Sequence, residues 1–123
     1  MGTKILIVED HDDFRQVIRK HLELHDLNVN IMEADCGEVG VAMALHRVPD
    51  IVLMDIRLPG ITGIEAAAQI KSQLPQSEII FLTIFEAEAF REAFQSEAAS
   101  DYVGKSELYE KLVPAIKRLI PET

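Results

Sequence analysis

The sequence predicts an α/β sandwich, a parallel sheet with helices on both faces, and three observations carry that expectation. Short β-branched runs alternate with longer segments whose apolar residues recur at helical spacing. Two runs, Ile51-Val52-Leu53-Met54 and Ile79-Ile80-Phe81-Leu82, are apolar without interruption. Strands covered on both faces must be so, whereas a one-sided sheet alternates apolar with polar. Finally, four runs give way to polar residues: Ile5-Leu6-Ile7-Val8 to Glu9-Asp10, 51–54 to Asp55, 79–82 to Thr83, and Tyr102-Val103 to Lys105 after one glycine. In an open parallel sheet, ligands bind outside the carboxyl ends of the strands where the strand order reverses, so these endings can share one crevice.

In chain order, strands are expected at 4–9, 28–33, 51–55, 78–83 and 100–103, separated by helices in a five-fold βα repeat. The first helix carries Phe14, Val17, Ile18 and Leu22 on one stripe. The second, about 37–47, is less regular, with Val41, Ala44 and Leu45 as its inward positions. The third presents Gly63, Ala67, Ile70 and Leu74, the fourth Ala87, Phe90 and Phe94, and the fifth Leu108, Leu112, Ala115 and Leu119. Right-handed crossovers then give three layers. Pro114 lies inside the last stripe, where it removes a backbone donor at a cost of roughly 3 kcal/mol if unrelieved, so a kink or break is expected near 110–113. Residues 1–120 are read as one domain, and Pro121-Glu122-Thr123 as a tail or the start of a linker.

A chain of 123 residues is long enough to bury a continuous core. Its net charge of −9 argues against this segment binding nucleic acid through its own surface. The lone cysteine, Cys36, cannot form an internal disulfide and is read as a small buried thiol. No apolar run approaches membrane-spanning length, and the first residues are too soon acidic for a signal peptide, so the expectation is a soluble, cytoplasmic protein without membrane contact.

Glu9, Asp10 and Asp55, gathered in one crevice, repel one another and require cationic compensation. Lys105 offsets one of the three negative charges and a divalent cation the other two. Oxygen ligands without His or Cys point to Mg²⁺, which takes one or two carboxylates, waters and a phosphate oxygen. Such a cation can draw a phosphoryl group toward the Asp55 carboxylate while Lys105 and the Thr83 hydroxyl take its other oxygens, forming an aspartyl phosphate.

The chain here resembles a response-regulator receiver domain of two-component systems across essentially its whole length. The resemblance rests on Ile5-Leu6-Ile7-Val8-Glu9-Asp10, Met54-Asp55-Ile56-Arg57-Leu58-Pro59-Gly60 with Gly63, Leu82-Thr83, and Asp101-Tyr102-Val103-Gly104-Lys105. Pro59-Gly60, and Ser106 after the lysine, are most similar to receivers joined to LuxR/NarL-type helix-turn-helix output domains. The resemblance implies a flavodoxin-like (βα)5 sandwich with a five-stranded parallel sheet in the order 2-1-3-4-5. It implies that Asp55 accepts a phosphoryl group from a sensor histidine kinase, and that Asp10, Asp55 and the Arg57 backbone carbonyl hold Mg²⁺, with Glu9 acting mainly through water. Thr83 is then the switch hydroxyl, Lys105 the phosphate-pairing lysine and Tyr102 the aromatic that turns inward with Thr83. It further implies an output, transcriptional in related proteins, reaching DNA only through an absent domain. Pairing of two copies through the fourth helix, fifth strand and fifth helix also follows from it.

Ile84 departs from the family's usual small residue beside the phosphoryl pocket and is expected to narrow access to Asp55. Arg57 and Phe85 are expected to shield the acyl phosphate and slow its loss. His21 and His25, four apart on the first helix, lack a third ligand and are read as a solvated face. Asp12 and Asp13 suit the amino end of a helix dipole, leaving only Asp10 of that run with a chemical role. Thr62 is expected to matter for the turn before the third helix. Two rivals remain. A Mg²⁺-dependent phosphatase with an Asp nucleophile normally needs a second acid two positions on, where Arg57 stands. A nucleotide- or flavin-binding domain wants a glycine- or hydroxyl-rich loop after the first strand, where Glu9-Asp10-His11-Asp12-Asp13 repels phosphate instead.

Overall fold

The structure is a computed structural model that describes residues 2–25, 28–84 and 95–120. Five strands alternate with helices: β1 (Thr3–Val8), α1 (Asp12–Leu24), β2 (Val29–Ala34), α2 (Gly37–Arg47), β3 (Ile51–Asp55), α3 (Gly63–Gln73), β4 (Glu78–Thr83), β5 (Asp101–Gly104), a single 3-10 turn (Lys105–Glu107) and α4 (Leu108–Leu119). Each strand lies within one residue of its expected span. The fourth of the five expected helices, with Phe85, Ala87, Phe90 and Phe94, lies outside the described residues, so α4 is the fifth one.

All pairings are parallel and the order is β2-β1-β3-β4-β5. The order reverses between β1 and β3, which pair with Val8 beside Met54. Strand side chains alternate between two cores. Ile5, Ile7, Ile51, Leu53, Ile80 and Leu82 face α1 and α4, meeting Ile18, Leu22, Leu112 and Ile116. Leu6, Val8, Val52, Met54, Ile79 and Phe81 face the other way, against Ala44, Ala66, Ala67 and Ile70 of α2 and α3. That two-sided burial is why β3 contains no polar residue before Asp55.

Four expectations need correction. Leu45 points outward, 44% exposed, because α2 turns Gly37, Gly40 and Ala44 to the sheet. A Cβ on Gly40 would stand 2.9 Å from a Val8 methyl, so this narrow glycine face lets the helix approach closely. Second, α4 runs unbroken from Leu108 to Leu119 with Pro114 inside it. Pro114 and Glu110, whose carbonyl loses its partner, are both on the exposed side, where water can serve that oxygen, while Val113 and Ala115 keep the helix packed. Third, His21 is buried, not solvated: its ring meets the rings of His25 at 4.3 Å and Tyr109 at 5.0 Å between α1 and α4. Finally, Cys36 is only half-buried, because it sits at the cap of α2 instead of inside the sheet. The Thr62 expectation matches a capping box: its hydroxyl accepts from the Glu65 N–H at 3.1 Å.

Candidate functional site

The carboxyl ends of β1, β3, β4 and β5 bring Glu9, Asp55, Thr83 and Lys105 together. Glu9 extends the parallel ladder one residue past β1, its N–H donating to the Ala34 carbonyl at 3.1 Å, so its side chain enters the sheet end and is fully buried. Arg15 braces this turn from α1: Nη1 donates to the Glu9 carbonyl at 2.7 Å, and the same guanidinium meets Glu33 of β2 and Asp12. Asp55 is 3% exposed, and its Oδ1 accepts from the Arg57 N–H at 3.3 Å. The following turn reverses at Gly60, whose φ of 77° favours glycine, and Glu38 of α2 tethers it by accepting from the Ile61 N–H.

Lys105 reaches across from the 3-10 turn after β5. Its Nζ donates to Glu9 Oε1 at 2.8 Å, lies 3.2 Å from Asp55 Oδ1, and stands 5.0 Å from the centre of the Phe14 ring. A cleft of about 120 Å³ opens above these groups, lined by His11, Asp55, Ile56, Arg57, Thr83, Ile84 and Lys105. Ile84 does stand at this cleft, with 58% of its surface exposed, whereas Phe85 lies outside the described residues. Tyr102 is half-buried in the second core, its ring stacked on Phe81 with centroids 6.1 Å apart.

The electrostatics divide the two buried carboxyls. Burial raises the Asp55 pKa, the negative Glu9 raises it further, and Lys105 only partly offsets them, leaving it at about 7. Burial also pushes Glu9 upward, but hydrogen bonds from Lys105 and Asp55, with the Lys105 charge, outweigh it and hold Glu9 below its ordinary value. Burial pushes Lys105 down, yet its bond to Glu9 and the Asp55 charge keep it above its ordinary value. The lysine is thereby held in its protonated form, while Asp55 gives up its proton less readily than an ordinary carboxyl.

One ligand atom from each of Glu9, Asp10, His11 and Asp55 lies within 4.8 Å of the others. Among the described residues, Asp10 Oδ1 is buried without a hydrogen-bond partner, a costly state that a cation would relieve. The residues present thus fit a divalent ion. Sequence reasoning had given His11 no chemical role and had not singled out Arg15. The signal for His11 was its place beside the acid pair at a strand end; Arg15 left none, because its partner Glu33 is 18 residues away on β2.

The model of the response regulator receiver domain matches residues 5–117. The chain belongs to that family. Among relatives of this receiver is the response regulator GacA of Pseudomonas aeruginosa, 34% identical over 117 residues that make up 94% of this chain and 54% of that protein. The chain spans about half the length of the curated relatives it matches. Among solved structures, a LuxR-family two-component response regulator from Aurantimonas is 32% identical, with a TM-score of 0.85 over 97% of this chain and 85% of that one. The response regulator TrrA of Thermotoga maritima, solved in complex with Mg²⁺ and BeF, is 30% identical, with a TM-score of 0.86 over 96% of this chain and 99% of that one.

Proposed function

We propose that this receiver takes a phosphoryl group from a sensor histidine kinase onto Asp55 and passes the change to an output outside these residues. The observation that carries the reading is a buried carboxylate, Asp55, facing a cleft with a protonated lysine 3.2 Å away. A strand-end aspartate alone is more often a turn or cap residue; one held beside a second buried acid and a lysine, from three different strand ends, is suited to accepting a transferred group. In the transfer, an Asp55 oxygen forms a bond to phosphorus as the bond from phosphorus to the kinase imidazole nitrogen breaks. The electron pair leaves with that nitrogen, which recovers its neutral state.

Asp10, Asp55 and the Arg57 carbonyl hold Mg²⁺ in this reading, with Glu9 acting through water; the ion supplies charge neutralisation for the phosphoryl oxygens. Lys105 pairs one of those oxygens and the Thr83 hydroxyl donates to another. Movement of Thr83 frees space toward which Tyr102 turns, shifting a pre-existing equilibrium of the β4 and β5 surface. Pairing of two receivers on that surface, a DNA-binding output like those of LuxR-type relatives, and a cytoplasmic setting follow from family membership and belong to the proposal. So does the division into a receiver at 1–120 and a linker start at 121–123. The phosphatase alternative is not favoured, since Arg57 occupies the place of its second acid.

The test is incubation with Mg²⁺ and acetyl phosphate, read by intact mass, beside Asp55→Asn. One phosphoryl addition to the wild type alone is expected. Addition to both proteins would remove Asp55 as acceptor, and addition to neither, with Mg²⁺ bound, would remove the phosphoacceptor reading.

A further inference from the structure

The geometry points to His11 as a nitrogen donor to the cation in this cleft, giving the site a preference for borderline divalent ions such as Co²⁺ and Ni²⁺ over Mg²⁺. The inference rests on the cation reading above and deepens it by assigning a fourth side chain and a metal class. His11 Nδ1 lies 3.3 Å from Glu9 Oε2 and 3.4 Å from Asp10 Oδ1. Donors on one octahedral ion with bonds of about 2.1 Å stand about 3 Å apart when adjacent and about 4.2 Å when opposite. The His11 to Asp10 separation is therefore that of neighbouring ligands, slightly opened. Glu9 Oε2, which shares a hydrogen bond with the ring nitrogen at 3.3 Å, is left to act on the ion through water, and Asp55, whose ligand atom lies within 4.8 Å of both, closes with shifts of a few tenths of an ångström.

Two further observations point the same way. Among the described residues Asp10 Oδ1 is buried without a hydrogen-bond partner, and it lies 3.4 Å from His11 Nδ1. A cation beside them gives that oxygen a partner, while the ring nitrogen exchanges its hydrogen bond with Glu9 Oε2 for the ion and keeps the ring proton on Nε2. The ring is also anchored: His11 caps α1 with extended backbone, and its N–H donates at 3.2 Å to the same Glu9 oxygen that its ring approaches. The cation needs no rearrangement of the main chain to meet this nitrogen. Mg²⁺ takes oxygen ligands and gains little from an imidazole in place of a water, whereas affinity for first-row ions rises with nitrogen ligation along the series from Mn²⁺ to Cu²⁺. His11 thus sets the ratio of the two affinities more than either one alone.

The experiment compares the whole chain with His11→Gln, an exposed substitution that keeps polarity and leaves the buried acids in place. Calorimetric titration with Co²⁺ and with Mg²⁺ gives the affinity ratio, and electron spin echo of bound Mn²⁺ reports directly whether a nitrogen is coupled to the ion. The expected result is nitrogen coupling in the wild type that His11→Gln abolishes, with Co²⁺ affinity falling about tenfold, the low end for loss of a metal-site partner, and Mg²⁺ affinity changing less than twofold. Bound Mn²⁺ without nitrogen coupling, or equal losses for Co²⁺ and Mg²⁺, overturns the role of His11 while leaving the acidic cation site standing. No binding of any of the three ions to the wild type overturns both.

Discussion

Asp55 is the residue where the cost of this site is most measurable. Its carboxyl titrates near 7 in the fold, against 3.8 for the ordinary group, because it is buried beside Glu9. Between those values the folded state holds a proton that the unfolded chain has released, so stability from this group is present at low pH and is lost as pH rises from about 4 to about 7. Asp55→Asn cannot lose it. In cation-free urea titrations the variant should therefore gain on the wild type through that window and hold its advantage above it; parallel midpoints across the range would contradict the burial argument. Adding Mg²⁺ at pH 8 should narrow the gap, since a ligand at tenfold its dissociation constant stabilises by about 1.4 kcal/mol.

Secondary elements constrain the site through close backbone approaches. A Cβ on Gly63 would stand 1.8 Å from the Asp55 carbonyl oxygen, while the Gly63 N–H donates to the Ile56 carbonyl at 2.9 Å. The start of α3 is thus seated on the end of β3, and no side-chain rotation relieves an added methyl. Gly63→Ala is expected to cost on the order of 2 kcal/mol or more and to weaken cation binding as the Asp55 backbone shifts; a variant with unchanged urea midpoint would refute that seating. Pro114→Ala should act oppositely. It restores one hydrogen bond to Glu110 on an exposed helix face, for a net gain of about 1 to 2 kcal/mol after the proline's stiffening of the unfolded chain is lost. Thermal unfolding of the two proteins decides the sign.

For the molecule as a whole, the net charge of −9 gives the isolated chain no attraction for a phosphate backbone. It should show no retention on duplex DNA at physiological salt, by gel shift or by anisotropy; retention would mean that this segment carries an output of its own. Much of the architecture was legible in the sequence because one periodicity governed it. Strands buried on both faces must be apolar throughout, so β3 and β4 announced themselves and their ends followed. The acids and the lysine were visible because charge at the end of an apolar run is conspicuous. Only tertiary structure placed Glu9 fully inside, gave Lys105 two carboxylates at once, and turned His11 toward them. It also reversed three helix readings, hiding His21 against Tyr109, turning Leu45 outward and carrying α4 unbroken through Pro114. Local pattern fixes which face of an element is apolar. How closely two elements approach, and which charges then share a desolvated space, depends on atoms far apart in the chain, such as the Gly40 and Val8 contact or the 96-residue reach from Lys105 to Glu9.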